Sequence, residues 1–232
     1  MKYPIKEELL DEWTPDLAYF LRVMISDGEV KPTGAVIDLQ TNDGSALNYI
    51  RDWISPTRPI NGPYIKKYKG KKTEYLRLSL SSKSFANKLM ARFGIIPCKT
   101  GTESITFDLP EDMERHLIRG IFDGDGIVSL KTGPNGGKKY ETGFVSPSRI
   151  LLEQIKEIHG GNKGRSIREK KDRRKKQNGE PRSPMYSWEF GIDEGAKLRD
   201  WMYSGGEFGL PRKKEKLAAF YTKKSLNPVG VG

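Results

Sequence analysis

The sequence predicts an α+β protein built from two pseudo-symmetric αββαββα repeats with antiparallel sheets. Three observations carry that prediction. An apolar helical stretch ending in Asp-Gly occurs twice. The order of helical and strand-like runs that follows it also occurs twice, which is the mark of an internal duplication. The excess positive charge is confined to two blocks.

The first stretch is "PDLAYFLRVMISDGEV", Pro15 to Val30. It opens on a proline and an acid, a good helix start because the missing N–H is unpaired there anyway. Leu17, Phe20, Leu21 and Met24 recur at helical spacing. From Leu17 to Ile25 the stretch is apolar almost all round, broken by Arg22, which predicts a buried helix. After Asp27-Gly28 the pattern switches toward strand. A strand is expected over 36–40, a helix over 43–54, strands over 64–69 and 74–80, and a helix over 83–93, before "IPCK" at 96–99.

The second copy starts in "PEDMERHLIRGIFDGDGIV", Pro110 to Val128, with Met113, Leu117, Ile121 and Phe122 at helical spacing and Asp125-Gly126 at its end. Strands follow over 127–131 and 140–146, a helix over 148–159 and a basic strand over 163–170. A long loop leads to a strand over 186–192 and a helix over 194–203, then "LPRK" at 210–213 and a C-terminal helix. The chain is assigned accordingly to a first repeat, 1–104, and a second, 105–232, which carries a basic insertion.

Within the strands the alternation sets faces. Leu76, Leu78 and Leu80 point one way, and Tyr75, Arg77 and Ser79 the other. Tyr186, Trp188 and Phe190 share a face opposite Ser187 and Glu189. Each sheet is therefore expected to pack its apolar face on its own helices and to leave a polar face outside, as antiparallel sheets do.

Between Tyr64 and Lys83 the bases Lys66, Lys67, Lys69, Lys71, Lys72, Arg77 and Lys83 meet a single acid, Glu74. Between Lys163 and Pro184 lie Lys163, Arg165, Arg168, Lys170, Lys171, Arg173, Arg174, Lys175, Lys176 and Arg182, against Glu169, Asp172 and Glu180. These blocks hold more than the whole net charge of +11. Such concentration points to a polyanionic partner, nucleic acid, and a polar sheet face is one accepted reader of a DNA groove. Neither block has the pattern of an amphipathic membrane helix. Tyr64 and Tyr68 among the lysines either brace phosphate contacts or pack the hairpin.

Other classes fall away. The single cysteine, Cys98, excludes a disulfide framework and a cysteine-based zinc site. Two histidines, His116 and His159, make a zinc site or histidine triad improbable. A calcium loop starting at Asp123 would need glycine at Val128 and an oxygen ligand at Ile127, so it fails. An N-terminus with acids in place of an apolar stretch, and no apolar run long enough to span a membrane, lead to the expectation of an intracellular, unsecreted protein.

Asp27 and Asp125 hold equivalent places at the ends of the two apolar helices. If those helices pack side by side, the carboxylates come together. An acid at a helix C-terminus is electrostatically unfavourable unless a cation offsets it. Paired carboxylates with few other polar ligands suit Mg²⁺, which takes its remaining oxygens from water and phosphate. Metals shared between acids and a scissile phosphate are the two-metal route to phosphodiester hydrolysis. Asp123 has Ile25 as its counterpart and is expected to be structural.

"FLRVMISDG" (Phe20 to Gly28) and "IRGIFDGDG" (Ile118 to Gly126) resemble the two motif helices of a single-chain LAGLIDADG homing endonuclease, and the resemblance runs from about Thr14 to Leu226. It implies four-stranded, saddle-shaped sheets lying along the DNA major groove, with motif helices at the interface of the halves and cleavage across the minor groove. It implies metal binding by Asp27 and Asp125, with the backbone of Gly28 and Gly126 beside them. "IIPCKT" and "LPRKK" resemble the basic segment ending each repeat, which places Lys99 and Lys213 near DNA phosphates and makes Lys83 a weaker candidate. The motif's first glycine is matched by Gly120 in repeat two but by Arg22 in repeat one. Ser26 and Gly124 keep the later position small.

The expected function is that of a monomeric, Mg²⁺-dependent, intron-encoded endonuclease cutting both strands of a long, pseudo-palindromic DNA target through a metal-activated water. Lys66, Lys67, Lys69, Lys71, Lys72, Arg165, Arg168, Lys170, Arg173, Arg174 and Arg182 would set affinity, and Arg77 specificity. The alternative is a non-catalytic binder, either an intron RNA maturase or a transcription regulator on DNA.

Overall fold

The computed structural model describes residues 3–68, 71–96, 103–132, 138–160, 166–170, 184–204 and 208–225. It is α+β, with two four-stranded antiparallel sheets. Contacts divide the chain into unit 1, Met1–Thr100 with Ile105–Gly120, and unit 2, Gly101–Ser104 with Ile121–Gly232.

In unit 1 a short 3-10 helix (Glu7–Leu10) precedes α1 (Pro15–Ser26), β1 (Gly28–Val30), β2 (Val36–Thr41), α2 (Gly44–Ile54), β3 (Asn61–Tyr68), β4 (Lys71–Ser81) and α3 (Lys83–Phe93). Thr14, Asp43 and Ser82 each cap the helix that follows by accepting a backbone N–H, a contact worth about 1 kcal/mol. The sheet runs β1-β2-β4-β3. Its inner face offers Ile37, Leu39, Leu78 and Leu80 to Phe20, Phe85 and Leu89, all fully buried. α1 is buried from Leu17 through Ile25, as its continuous apolar surface predicts. Thr106 donates to the Phe93 carbonyl at the end of α3, and Trp13, Phe93 and Phe107 form an aromatic cluster.

Unit 2 continues from α4 (Glu111–Asp125), whose residues to Gly120 belong to unit 1. Then come β5 (Gly126–Thr132), β6 (Lys138–Ser146), α5 (Arg149–Ile158), β7 (Arg168–Lys170), β8 (Met185–Phe190), α6 (Ile192–Tyr203) and α7 (Pro211–Ser225). The order β5-β6-β8-β7 repeats that of the first sheet. Trp188 stacks on Phe144 at 6.1 Å and meets Phe190 edge-on at 4.4 Å.

Several boundaries differ from the sequence expectation; β4 begins at Lys71 rather than Glu74, and β6 at Lys138 rather than Tyr140. β3 begins at Asn61 rather than Tyr64, through a bulge between Asn61 and Tyr64. β8 stops at Phe190 and α6 begins at Ile192. The apolar alternation runs on through Ile192, but acids at 193 and 194 suit a first helical turn and end the strand. β7 is confined to 168–170 among the described residues, and the earlier part of the expected strand, 163–165, lies outside them.

Candidate active site

α1 ends by placing Asp27 as its C-cap, with the Asp27 N–H on the Val23 carbonyl. The Asp27 side chain is 41% exposed and accepts a 3.1 Å hydrogen bond from the Ser26 hydroxyl. Gly28 follows with no room for a side chain: a Cβ there would lie 2.6 Å from Met24 Sδ. Asp27 thus forms one wall of an open trough of about 490 Å³, whose other walls include Gln40, Thr41, Lys66, Thr73 and Tyr75. Gln40, Thr73 and Tyr75 come from β2 and β4, so the carboxylate borders the outward sheet face.

That face carries much of what the alternation predicted. Tyr64 pairs with Tyr75 across β3 and β4, their rings 5.4 Å apart. The Arg77 guanidinium lies 5.3 Å over the Tyr64 ring, so the tyrosine braces an arginine as well as the hairpin. Lys66 and Lys72 are exposed. Lys67 and Lys71 lie in β3 and β4. Lys69 lies outside the described residues, as do Lys99, Arg165, Arg173, Arg174 and Arg182. Lys83 is exposed in the first turn of α3, off the strands. Arg168 and Lys170 are exposed on β7, and Lys170 pairs with Glu189 at 3.1 Å.

Toward β1 the outer face changes character. Asp38 is nearly buried; it accepts from the Ser79 hydroxyl at 2.5 Å and pairs with Lys31 at 3.3 Å. Lys31 also binds Glu29, and the Glu29 and Asp38 carboxylates hold its pKa above the ordinary lysine value. This network was missed in the sequence. Its signal was an acid in mid-strand, "VIDLQ", facing the register of Ser79.

In unit 2, Asp125 is the last residue of α4 and is partly exposed. Gly126 starts β5 against Phe122, whose carbonyl oxygen would sit 2.3 Å from any Cβ at 126. Lys213, from the first turn of α7, turns inward. Only 6% of it is exposed, its ammonium donates to the Gly126 carbonyl, and it lies 5.4 Å over the Phe122 ring. Burial, reinforced by Arg212, lowers its pKa to about 8 against the opposing pull of Asp123 and Asp125. Lys213, expected near DNA phosphates, is held beside the Asp125-Gly126 turn, and one lone pair of the Gly126 carbonyl is engaged by its ammonium.

Asp123 explains how Lys213 arrives there. It is fully buried and accepts from the Tyr203 hydroxyl at 2.7 Å and from the Leu210 N–H at 2.9 Å, fixing the chain just before α7. A buried acid in an apolar helix signals such partners, because a lone charge there is prohibitive. Asp123→Ala is expected to destabilise the protein by about 3 kcal/mol in urea unfolding.

Among the described residues no three His, Cys, Asp or Glu side chains gather as a metal site. A cation at either motif would rest on one carboxylate and complete its shell with water and phosphate oxygens. Hard oxygen donors of this kind, one of them exposed at a trough, fit a hard divalent ion.

No protein-family model matches the chain, and no curated protein matches its sequence. Solved structures do. The LAGLIDADG homing endonuclease I-GzeII in complex with its DNA target aligns at TM-score 0.56 and 9% identity, over 95% of this chain and 94% of that one. The LAGLIDADG meganuclease I-AabMI bound to uncleaved DNA aligns at TM-score 0.55 and 11% identity, over 92% and 91%. This chain has the LAGLIDADG fold. Full-length WhiA from Thermatoga maritima shares it at TM-score 0.52 and 14% identity, over 98% of this chain, which spans 66% of WhiA's length. Among the described residues no helix of the chain is long and apolar enough to cross a membrane.

Proposed function

We propose that the chain is a site-specific double-strand DNA endonuclease of the homing type, with residues 1–104 and 105–232 as its two repeats. One observation supports this best: each LAGLIDADG repeat ends its apolar helix with a partly exposed carboxylate, Asp27 or Asp125, followed by a glycine that admits no side chain. Asp27 and Asp125 would hold divalent cations, Mg²⁺ by the hardness of their oxygens. A bound cation would supply Lewis-acid polarisation of the phosphate and a lowered water pKa.

The chain's own residues supply the rest. Lys66 and Lys72 neutralise phosphates, and the Tyr64–Arg77 stack presents a guanidinium held in place for base recognition across a long, pseudo-palindromic major-groove site. Lys213, fixed on the Gly126 carbonyl, keeps one positive charge at the second motif as negative charge builds on the phosphate in minor-groove cleavage. Both motifs lie in one chain, which supports a monomer, and double-stranded DNA is its proposed partner.

The reading is tested by incubating the protein and its Asp125→Asn variant with a randomised duplex library in Mg²⁺ and sequencing cut ends. Recurrent cuts at one long sequence, absent with the variant, support it. Retention of DNA or intron RNA without any cut selects a non-catalytic binder. The Arg22–Asp27 ion pair, 3.6 Å apart, favours that second reading, since it offsets one carboxylate without a metal. Lys66→Ala and Lys72→Ala are each expected to weaken DNA binding uniformly across sequences and to reduce the salt slope of log K by about 1.

A further inference from the structure

Arg22 stands where repeat two has Gly120, and the two residues fit each other. The arginine stem lies on that glycine so closely that a Cβ at 120 would come within 2.8 Å of Arg22 Cγ. The side chain is only 3% exposed, and its Nη1 reaches Asp27 Oδ2 at 3.6 Å. Its Nε and Nη2 are buried with no hydrogen-bond partner among the described residues. A guanidinium left so poorly satisfied is expensive to bury, and an apolar residue of similar length would pack the same groove without that penalty. Among the described residues its ion-pair partner is the motif carboxylate.

Resting on the nuclease reading above, we propose that Arg22 tunes the first metal site: its fixed charge, anchored on Gly120, weakens divalent-cation binding at Asp27. Arg22 touches no reacting atom and acts through Asp27. A cation approaching Asp27 meets a like charge anchored in the protein. Repeat two has no side chain at the matching position. Because Asp27 is 41% exposed, solvent screens the repulsion, and the site is weakened rather than lost.

The test measures Mn²⁺ binding by water-proton relaxation on the full chain. Asp125→Asn leaves Asp27 as the motif acid, and Asp27→Asn/Asp125→Asn gives the background. Adding Arg22→Met to Asp125→Asn is expected to tighten the Asp27-dependent site about tenfold, whereas Arg22→Lys, which keeps the charge, leaves it weak. Thermal melts show that each variant is folded, and Arg22→Gln supplies the neutral arm if the methionine variant is not. Equal Mn²⁺ affinity in the arginine, lysine and neutral variants, with Asp125-dependent binding intact in the wild type, overturns the inference and leaves the nuclease reading standing. Absence of any Asp27- or Asp125-dependent binding, together with absence of cleavage, overturns both.

Discussion

Asp125→Asn is expected to lower DNA cleavage on the order of 10³-fold or more, with DNA affinity changed by no more than about threefold. Asparagine keeps the shape and removes the charge, so what is lost is the ability to hold a cation against the phosphate. Affinity is expected to survive because the exposed bases proposed to meet phosphates lie on the strands, at Lys66, Lys72 and Arg168. Gel shifts in Ca²⁺ and cleavage in Mg²⁺ separate the two effects. A variant that still cuts like the wild type removes Asp125 from the chemistry.

The same change at Asp27 has a different signature. Asp27→Asn leaves the buried Arg22 guanidinium without its carboxylate, so it is expected to lose about 1 kcal/mol of stability as well as cleavage. Two formally equivalent acids thus differ because the residue one turn and a half earlier differs.

Backbone pattern was the legible part of this chain. Apolar spacing and the repeated Asp-Gly located α1 to α6 and the apolar faces of β4 and β8, because burial demands those periods whatever the side-chain detail, while the 3-10 helix Glu7–Leu10 was not anticipated. Side-chain direction was not legible where packing between distant segments decides it. Lys213 turns in because Asp123 binds Leu210 and Tyr203, residues some eighty positions away in sequence. Arg22 turns onto Gly120 because the second repeat has no side chain there. Asp38, on the face predicted to be polar and outside, is nearly buried under Lys31 and Ser79. Asp123, Arg22 and Asp38 each stand as a charge in an apolar or alternating run, which announces a partner but does not name it, whereas Lys213 sits in a run of bases and carries no such sign.

Gly126→Ala is expected to destabilise the protein by about 3 kcal/mol and to lower Tm by roughly 10 °C. The obstructing atom is the Phe122 carbonyl oxygen, 2.3 Å from the new methyl, with the Phe122 ring at 2.6 Å. Neither can yield cheaply, since the carbonyl belongs to α4 and the ring carries Lys213 on its face. Relief requires the end of α4 to move away from β5, and that movement carries Asp125 with it. Cleavage should therefore fall further than the lost fraction of folded protein accounts for, measured at a temperature where the variant is still folded. Gly28→Ala is expected to be milder, because its nearest obstruction is the flexible Met24 thioether, although Met24 Cα at 2.8 Å still resists. Gly191→Ala, where no atom lies within 4 Å, serves as the control and should stay within about 0.5 kcal/mol of the wild type in the same urea series.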